Sequence, residues 1–295
     1  MPSKKPYRIF RRMLHHGLRL IAIVLTAGVL SATLVRFAPG FGVDERELDS
    51  QLSSGSIAAI RNSNAANRSL PRFYVNYFRD MIRGQFGISQ TFQRPVAELV
   101  RERSTVSLHS LAVALPATWF LVLCVALSVT ILRNQFFTFM PSLFAAGLMA
   151  SPAAMVALWA ATTGHGVEIA LTLILAPPLY RYVQNVMERN FRSPHVMAAR
   201  ACGVGPVRLV VWHVLPTAAP QVVGLIAISL SMAFGALIPV EFICDSPGFG
   251  QLALQAALGR DLPLLVTLTM IITIVTFAAN MTADALNQAL TPVSG

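Results

Sequence analysis

Charge is scarce in this chain: 12% of its 295 residues are Asp, Glu, Lys or Arg, with 13 acidic against 23 basic. With 55% of residues hydrophobic and a mean hydropathy of +0.60, a water-soluble core could not enclose so much apolar surface. A soluble globular protein is thereby excluded, and a polytopic membrane protein is implied. Cysteine is nearly absent as well. Cys124, Cys202 and Cys244 fall in an apolar run, a polar interruption and the far side of a later run, so neither a disulfide nor a metal cluster is implied. No Gly-x-x-x-x-Gly-Lys-Ser/Thr loop is present to cradle ATP phosphates, and there is no Gly-x-Ser-x-Gly elbow or His-Glu-x-x-His helix. An intramembrane enzyme is left without visible chemistry, and a non-catalytic role is expected. The net charge of +10 does not signal nucleic acid, because the positive residues flank apolar runs, where they set orientation.

What is present is a series of apolar runs. Lys4, Lys5, Arg8, Arg11, Arg12 and Arg19 crowd the start, so residues 1–17 are expected in the cytoplasm and residues 18–38 form the first span. A cleaved signal peptide is the competing reading, but no convincing small-x-small site follows the run. Residues 39–104 turn polar, carry the acidic cluster Asp44, Glu45, Glu47 and Asp49, and are expected outside. The core, residues 105–287, is expected to hold spans at 105–132, 136–161, 167–187, 217–243 and 264–285. A cytoplasmic loop at 188–216 and an outer re-entrant loop at 244–263 interrupt it, and a cytoplasmic tail, 288–295, follows. Arg189, Arg192, Arg200 and Arg208, beside the single acidic Glu188, supply the positive-inside signal for the first of these loops. Pro116, Pro141 and Pro152 at membrane depth suit either kinked, cavity-lining helices or packing irregularity, and Pro177-Pro178 predicts a break near the middle of the fourth span.

One polar-and-small interruption organises the rest. Ala198, Ala199 and Ala201 let a short helix come close to a partner, Gly203 stops that helix, and Pro206 suits the first turn of a second one. The expected shape is an L-shaped hook. Met197-Ala198-Ala199, then Gly203, then His213-x-Leu215-Pro216 resembles the Glu-Ala-Ala, Gly, Ile-x-Leu-Pro loop of ABC-importer membrane subunits. Met197 replaces the acidic residue, while His213 is the form carried by the oligopeptide and dipeptide permease branch. A second resemblance lies at Glu241 and Pro247-Gly248-Phe249-Gly250, followed by Arg260-Asp261-Leu262-Pro263. Gly84-Gln85-Phe86-Gly87-Ile88-Ser89, Pro152, Arg181 and the Asn280-x-x-x-Asp284 arrangement also resemble that family, while its Asp-Pro-Arg ending is not found here.

The resemblance implies an all-α, six-span permease of the type I ABC-importer kind, in the bacterial inner membrane with both termini cytoplasmic. It implies one half of a pathway for peptides or a similar small solute. Implied partners are a second homologous permease subunit, two cytoplasmic ATPase subunits and an outside solute-binding protein. ATP and magnesium would be held by the ATPases, with no cofactor in this chain. Met197, Ala198, Ala199, Arg200, Ala201, Gly203, Pro206, His213, Leu215 and Pro216 would form the contact with the ATPase. An ion-gradient-driven secondary transporter is the alternative, which internal inverted repeats would favour, and no such repeat is visible. Plainer readings stand beside the polar residues. His109 and His165 lack partners at ligand spacing. Glu241, Asp245, Asp261 and Asp284 lie near span ends, where solvated or helix-capping carboxylates are common, and His213 suits packing at a helix end.

Overall fold

The computed structural model describes residues 86–290 except Arg133, together with Ile23, Thr26, Leu30 and Thr33. The expected first span and most of the outer segment, Gly84 included, lie outside the described residues, as does the end of the tail. Among the described residues the chain is helical, with one isolated bridge between Ile88 and Pro95. The helices are α1 (Val96–Leu132), α2 (Gln135–Ala150), α3 (Ala153–Ala161), α4 (Gly166–Phe191), α5 (Pro194–Ala201), α6 (Pro206–Leu209), α7 (Leu215–Ile243), α8 (Phe249–Leu258) and α9 (Leu262–Leu290).

Three described helices, Val96–Leu132, Pro206–Ile243 and Leu262–Leu286, are long and apolar enough to cross a bilayer. Phe136–Ala150 and Ala153–Ala161 make a fourth if the bent pair is one span. The stretch expected as a single third span is thus two helices meeting at 95°. Pro152 explains the break: it has no N–H to donate and pushes Ser151 out of the helical region, to φ −76° and ψ 133°. The prolines in α1, α2 and α4 behave differently. Pro116, Pro141, Pro177 and Pro178 all lie inside continuous helices, so the predicted break at Pro177-Pro178 is corrected. Around that pair Leu175, Ala176, Pro177 and Leu179 are buried, and packing on the neighbouring helices keeps α4 continuous through two missing donors.

The chain divides into two compact units. In residues 103–252 with 275–295, α4 packs against α7, α3 and α2, and α7 also meets α3. Leu171, Leu175, Leu179, Val183 and Met187 of α4 fill this core with Ala233, Leu237 and Val240 of α7. Across it the Trp119 indole N–H donates to Ser229 Oγ at 3.0 Å, satisfying a polar atom with no water at hand. Hydroxyls elsewhere in the spans turn back on their own helices: Thr118 donates to the Ala114 carbonyl and Thr130 to the Ala126 carbonyl, both at 2.7 Å. Phe120, Phe144, Leu158 and Trp159 are exposed, as large apolar side chains facing lipid should be. The other unit, residues 1–102 with 253–274, contains the described loop 86–95 and the first half of α9.

Candidate functional site

The hook is built by local rules. α4 ends at Phe191, Pro194 occupies the first turn of α5, and α5 closes with a Schellman motif centred on Gly203. There the Val204 N–H donates to the Ala199 carbonyl at 3.3 Å and the Gly203 N–H to the Arg200 carbonyl at 3.0 Å. Gly203 has φ +79°, a conformation L side chains rarely adopt, and nothing lies within 4 Å of the place a Cβ would take. The requirement for glycine is therefore one of backbone alone. Gly205 precedes α6, whose first turn holds Pro206.

From Pro206 the chain does not break again before Ile243. Residues Val210–Val214 form a wide π turn, with the Leu215 N–H reaching back to the Val210 carbonyl. Pro216 is the physical reason: it cannot donate to Trp212, and its ring would crowd that carbonyl in a regular helix. The second arm of the hook, from Pro206, and α7 thus form one continuous rod. Val196, Leu209, Val210 and Val214 are buried and fasten the hook inward, whereas Met197, Ala198, Ala201, Val207, Arg208, Val211 and Trp212 stand exposed. Trp212 is 72% exposed. His213 Nδ1 is buried without a hydrogen-bond partner, as are Tyr180 Oη and Gln184 Oε1.

The Glu241 and Pro247–Gly250 residues, separate in sequence, come together. Glu241 is 0% exposed, and its carboxylate accepts from Ser107 Oγ at 2.5 Å, the Gly250 N–H at 2.6 Å and the Gln251 N–H at 3.3 Å. The Phe249 N–H donates to Ser107 Oγ at 2.6 Å, so this pair of side chains caps the first turn of α8. Glu241 is therefore a capping carboxylate but a dry one, not a solvated one as its place near a span end suggested. The glycines follow from it. A Cβ at Gly248 would fall on the Glu241 carboxylate, and one at Gly250 would stand 2.7 Å from the Leu237 carbonyl oxygen and 2.8 Å from Ile238 Cα. Ser107 carries no signal in the sequence, being one serine within an apolar helix.

A second buried carboxylate organises the other unit. Asp261, 0% exposed, accepts from Ser89 Oγ at 2.5 Å, the Thr91 N–H at 3.0 Å and the Leu264 N–H at 3.2 Å. It caps α9 and clasps the loop that carries Gly87 (φ +78°) and Ser89. Pro263 is beside it, its Cβ 3.8 Å from a Cβ placed on Gly87. Arg260 just before is exposed with φ +52°. The remaining candidates are not gathered here. Arg181 is exposed and reaches Met149 Sδ at 3.8 Å, and Asn280 and Asp284 stand exposed one turn apart on α9. His109 is not without a carboxylate neighbour, since its Nδ1 stands 3.9 Å from Glu168 Oε1. No group of three His, Cys, Asp or Glu side chains among the described residues could hold a metal ion.

Comparison with known proteins gives this arrangement its setting. Residues 100–293 match the family described as binding-protein-dependent transport system inner membrane component. A protein of Brucella suis biovar 1 named as a peptide permease is 26% identical over 314 residues, covering 96% of this chain and 98% of the relative. The glutathione transport system permease protein of Salmonella typhimurium is 23% identical over 296 residues, with 93% and 95% covered. The metal-staphylopine import system permease protein of Staphylococcus aureus is 32% identical over 124 residues, 42% of this chain and 40% of the relative. The chain belongs to the binding-protein-dependent transport system inner membrane components, and is a multi-pass, non-catalytic permease subunit of an ABC importer that works with an ATPase and a binding protein.

Proposed function

We propose that this chain forms half of the membrane pathway of a type I importer for peptides or a similar small solute, paired with a second homologous permease subunit. Two ATPase subunits would sit at the hook and hold the ATP and magnesium, and a solute-binding protein would dock on the outside. Six spans, residues 18–38, 105–132, 136–161, 167–187, 217–243 and 264–285, would leave both termini in the cytoplasm. The names of the full-length relatives support the peptide-like cargo.

The observation that carries the coupling role is the hook's construction. It presents Met197 on α5, and Val207 and Trp212 on the stretch continuous with the long α7, as exposed apolar side chains of the kind that anchor protein interfaces. Closure of an ATP-bound ATPase pair would push on that face, and the unbroken rod would carry the displacement into the pathway. Ala199, half-buried beneath the same face, is the position at which bulk and charge would interfere most directly. Ala199→Glu should weaken the contact by about 2 to 5 kcal/mol by placing an unpaired charge in it. Quantitative co-purification of the ATPase with the full complex tests this. Loss of ATPase from a folded, membrane-inserted variant is expected, and normal retention with normal uptake would make the hook only a connector.

A further inference from the structure

A cleft of 530 Å³ opens in the larger unit, bordered by α1, the turn after α3, the first turn of α4 and the segment after α7. Val106, His109, Ser110, Thr163, Glu168 and Cys244 are among its lining residues. Its size falls within the range of about 300 to 1,000 Å³ typical of small-molecule sites. Glu168 supplies its negative charge, and the Ser246 hydroxyl also borders it. The Glu168 side chain is 18% exposed, and its Oε1 accepts from Ser110 Oγ at 3.1 Å. Among the described residues the His109 ring stands 3.9 Å from it, and no Lys or Arg is among those lining the cleft. Ser110 uses its proton on Glu168, and Thr163 uses its own on the Ala160 carbonyl at 2.6 Å, so both hydroxyls have only lone pairs left to offer. A carboxylate and two acceptor oxygens in a recess call for a cation carrying several N–H donors. Among the described residues no three His, Cys, Asp or Glu side chains are grouped closely enough to hold a bare metal ion.

We propose that this cleft binds the primary ammonium group of a small solute, with Glu168 as its counter-ion and Ser110 and Thr163 as further acceptors. An ammonium has three donors for three acceptors, and the charge of the largely buried Glu168 side chain favours it over a neutral amide of the same size. The inference deepens the permease reading and rests on it in one respect, that solute arrives at this end of α4.

Cys244 lies in the cleft and reports occupancy. In the full chain carrying Cys124→Ser and Cys202→Ser, Cys244 is the remaining thiol. Its reaction with a methanethiosulfonate reagent is measured at pH 7 with and without dialanine amide. Rates are compared as ratios, because Glu168 also acts on the thiol. The amine-bearing probe should slow labelling about tenfold at about ten times its Kd. N-acetyl-dialanine amide should leave the rate unchanged, and Glu168→Gln should abolish protection with an unaltered melting temperature, while Glu168→Asp retains part of it. Equal protection by the acetylated probe, protection that persists in Glu168→Gln, or none at any concentration would overturn the assignment. Protection by phosphatidylethanolamine vesicles and not by dialanine amide would also overturn it, assigning the ammonium to a lipid headgroup. Uptake by the assembled complex, followed in parallel, separates the two readings. An unprotected thiol with intact uptake removes the cleft assignment alone, and failure to assemble with an ATPase removes the permease reading.

Discussion

Replacing Gly248 by alanine places a methyl group where the Glu241 carboxylate now lies. That carboxylate cannot swing away freely, because it is fully buried and held by Ser107 Oγ and the N–H groups of Gly250 and Gln251. Hydrogen bonds to a charged acceptor contribute about 1.5 to 3 kcal/mol each, and overpacking a tight site costs about 1 to 3 kcal/mol. Displacing the carboxylate far enough to lose one bond, with residual crowding, should cost about 2 to 5 kcal/mol. Glu241→Ala removes the obstacle but strands three donors, at a cost of about 3 to 5 kcal/mol. The informative variant is the double one. Once the carboxylate is gone, Gly248→Ala has nothing left to strike, so Gly248→Ala/Glu241→Ala should match Glu241→Ala alone within about 0.5 kcal/mol. Equilibrium unfolding of the purified chain in mixed micelles, across wild type and the three variants, measures this. Additive losses would show that the glycine is required for some reason other than the carboxylate. A harmless Gly248→Ala would refute the capping account altogether.

In the hook, Gly203→Ala should cost about 1 to 2 kcal/mol through its positive φ alone. Gly205→Ala, at φ −62° with open space around it, should cost no more than the roughly 0.5 to 1 kcal/mol of a poorer N-cap residue, with ATPase co-purification unchanged. Burial, and after it the Glu168 carboxylate, holds the Cys244 thiol above its ordinary range. The thiolate is the reactive form, so Cys244 should label slowly at neutral pH and faster as pH climbs through the raised pKa, and Glu168→Gln should move that rise to lower pH. A titration of labelling rate that is unmoved by Glu168→Gln would break the link. Single cysteines introduced at Ser56 and Ser193 test orientation: a membrane-impermeant thiol reagent applied to intact cells should label the first and spare the second, and the opposite pattern would reverse the topology.

Much of this protein was legible because its signals are local. Apolar runs marked the described helices α1, α7 and α9, and the pairing of Gly203 with Pro206 marked the corner of the hook, since a positive φ and a missing N–H act within one turn of chain. The outer motifs were visible as residue patterns but their purpose was not. Glu241 meets Ser107 across 134 positions and Asp261 meets Ser89 across 172, and no periodicity links residues so far apart. The close spacing of Gly248 and Gly250 is intelligible only once a buried carboxylate and a helix backbone are seen against them. Proline shows the division most plainly. Its covalent effect is the same everywhere, yet Pro152 turns the chain by 95° while Pro177 and Pro178 leave α4 continuous. The sequence determined where backbone donors are missing. The tertiary structure decided the outcome at each: around Pro177 and Pro178 buried neighbours keep α4 continuous through the lost hydrogen bonds, while the exposed Ser151-Pro152 junction, without such packing, turns.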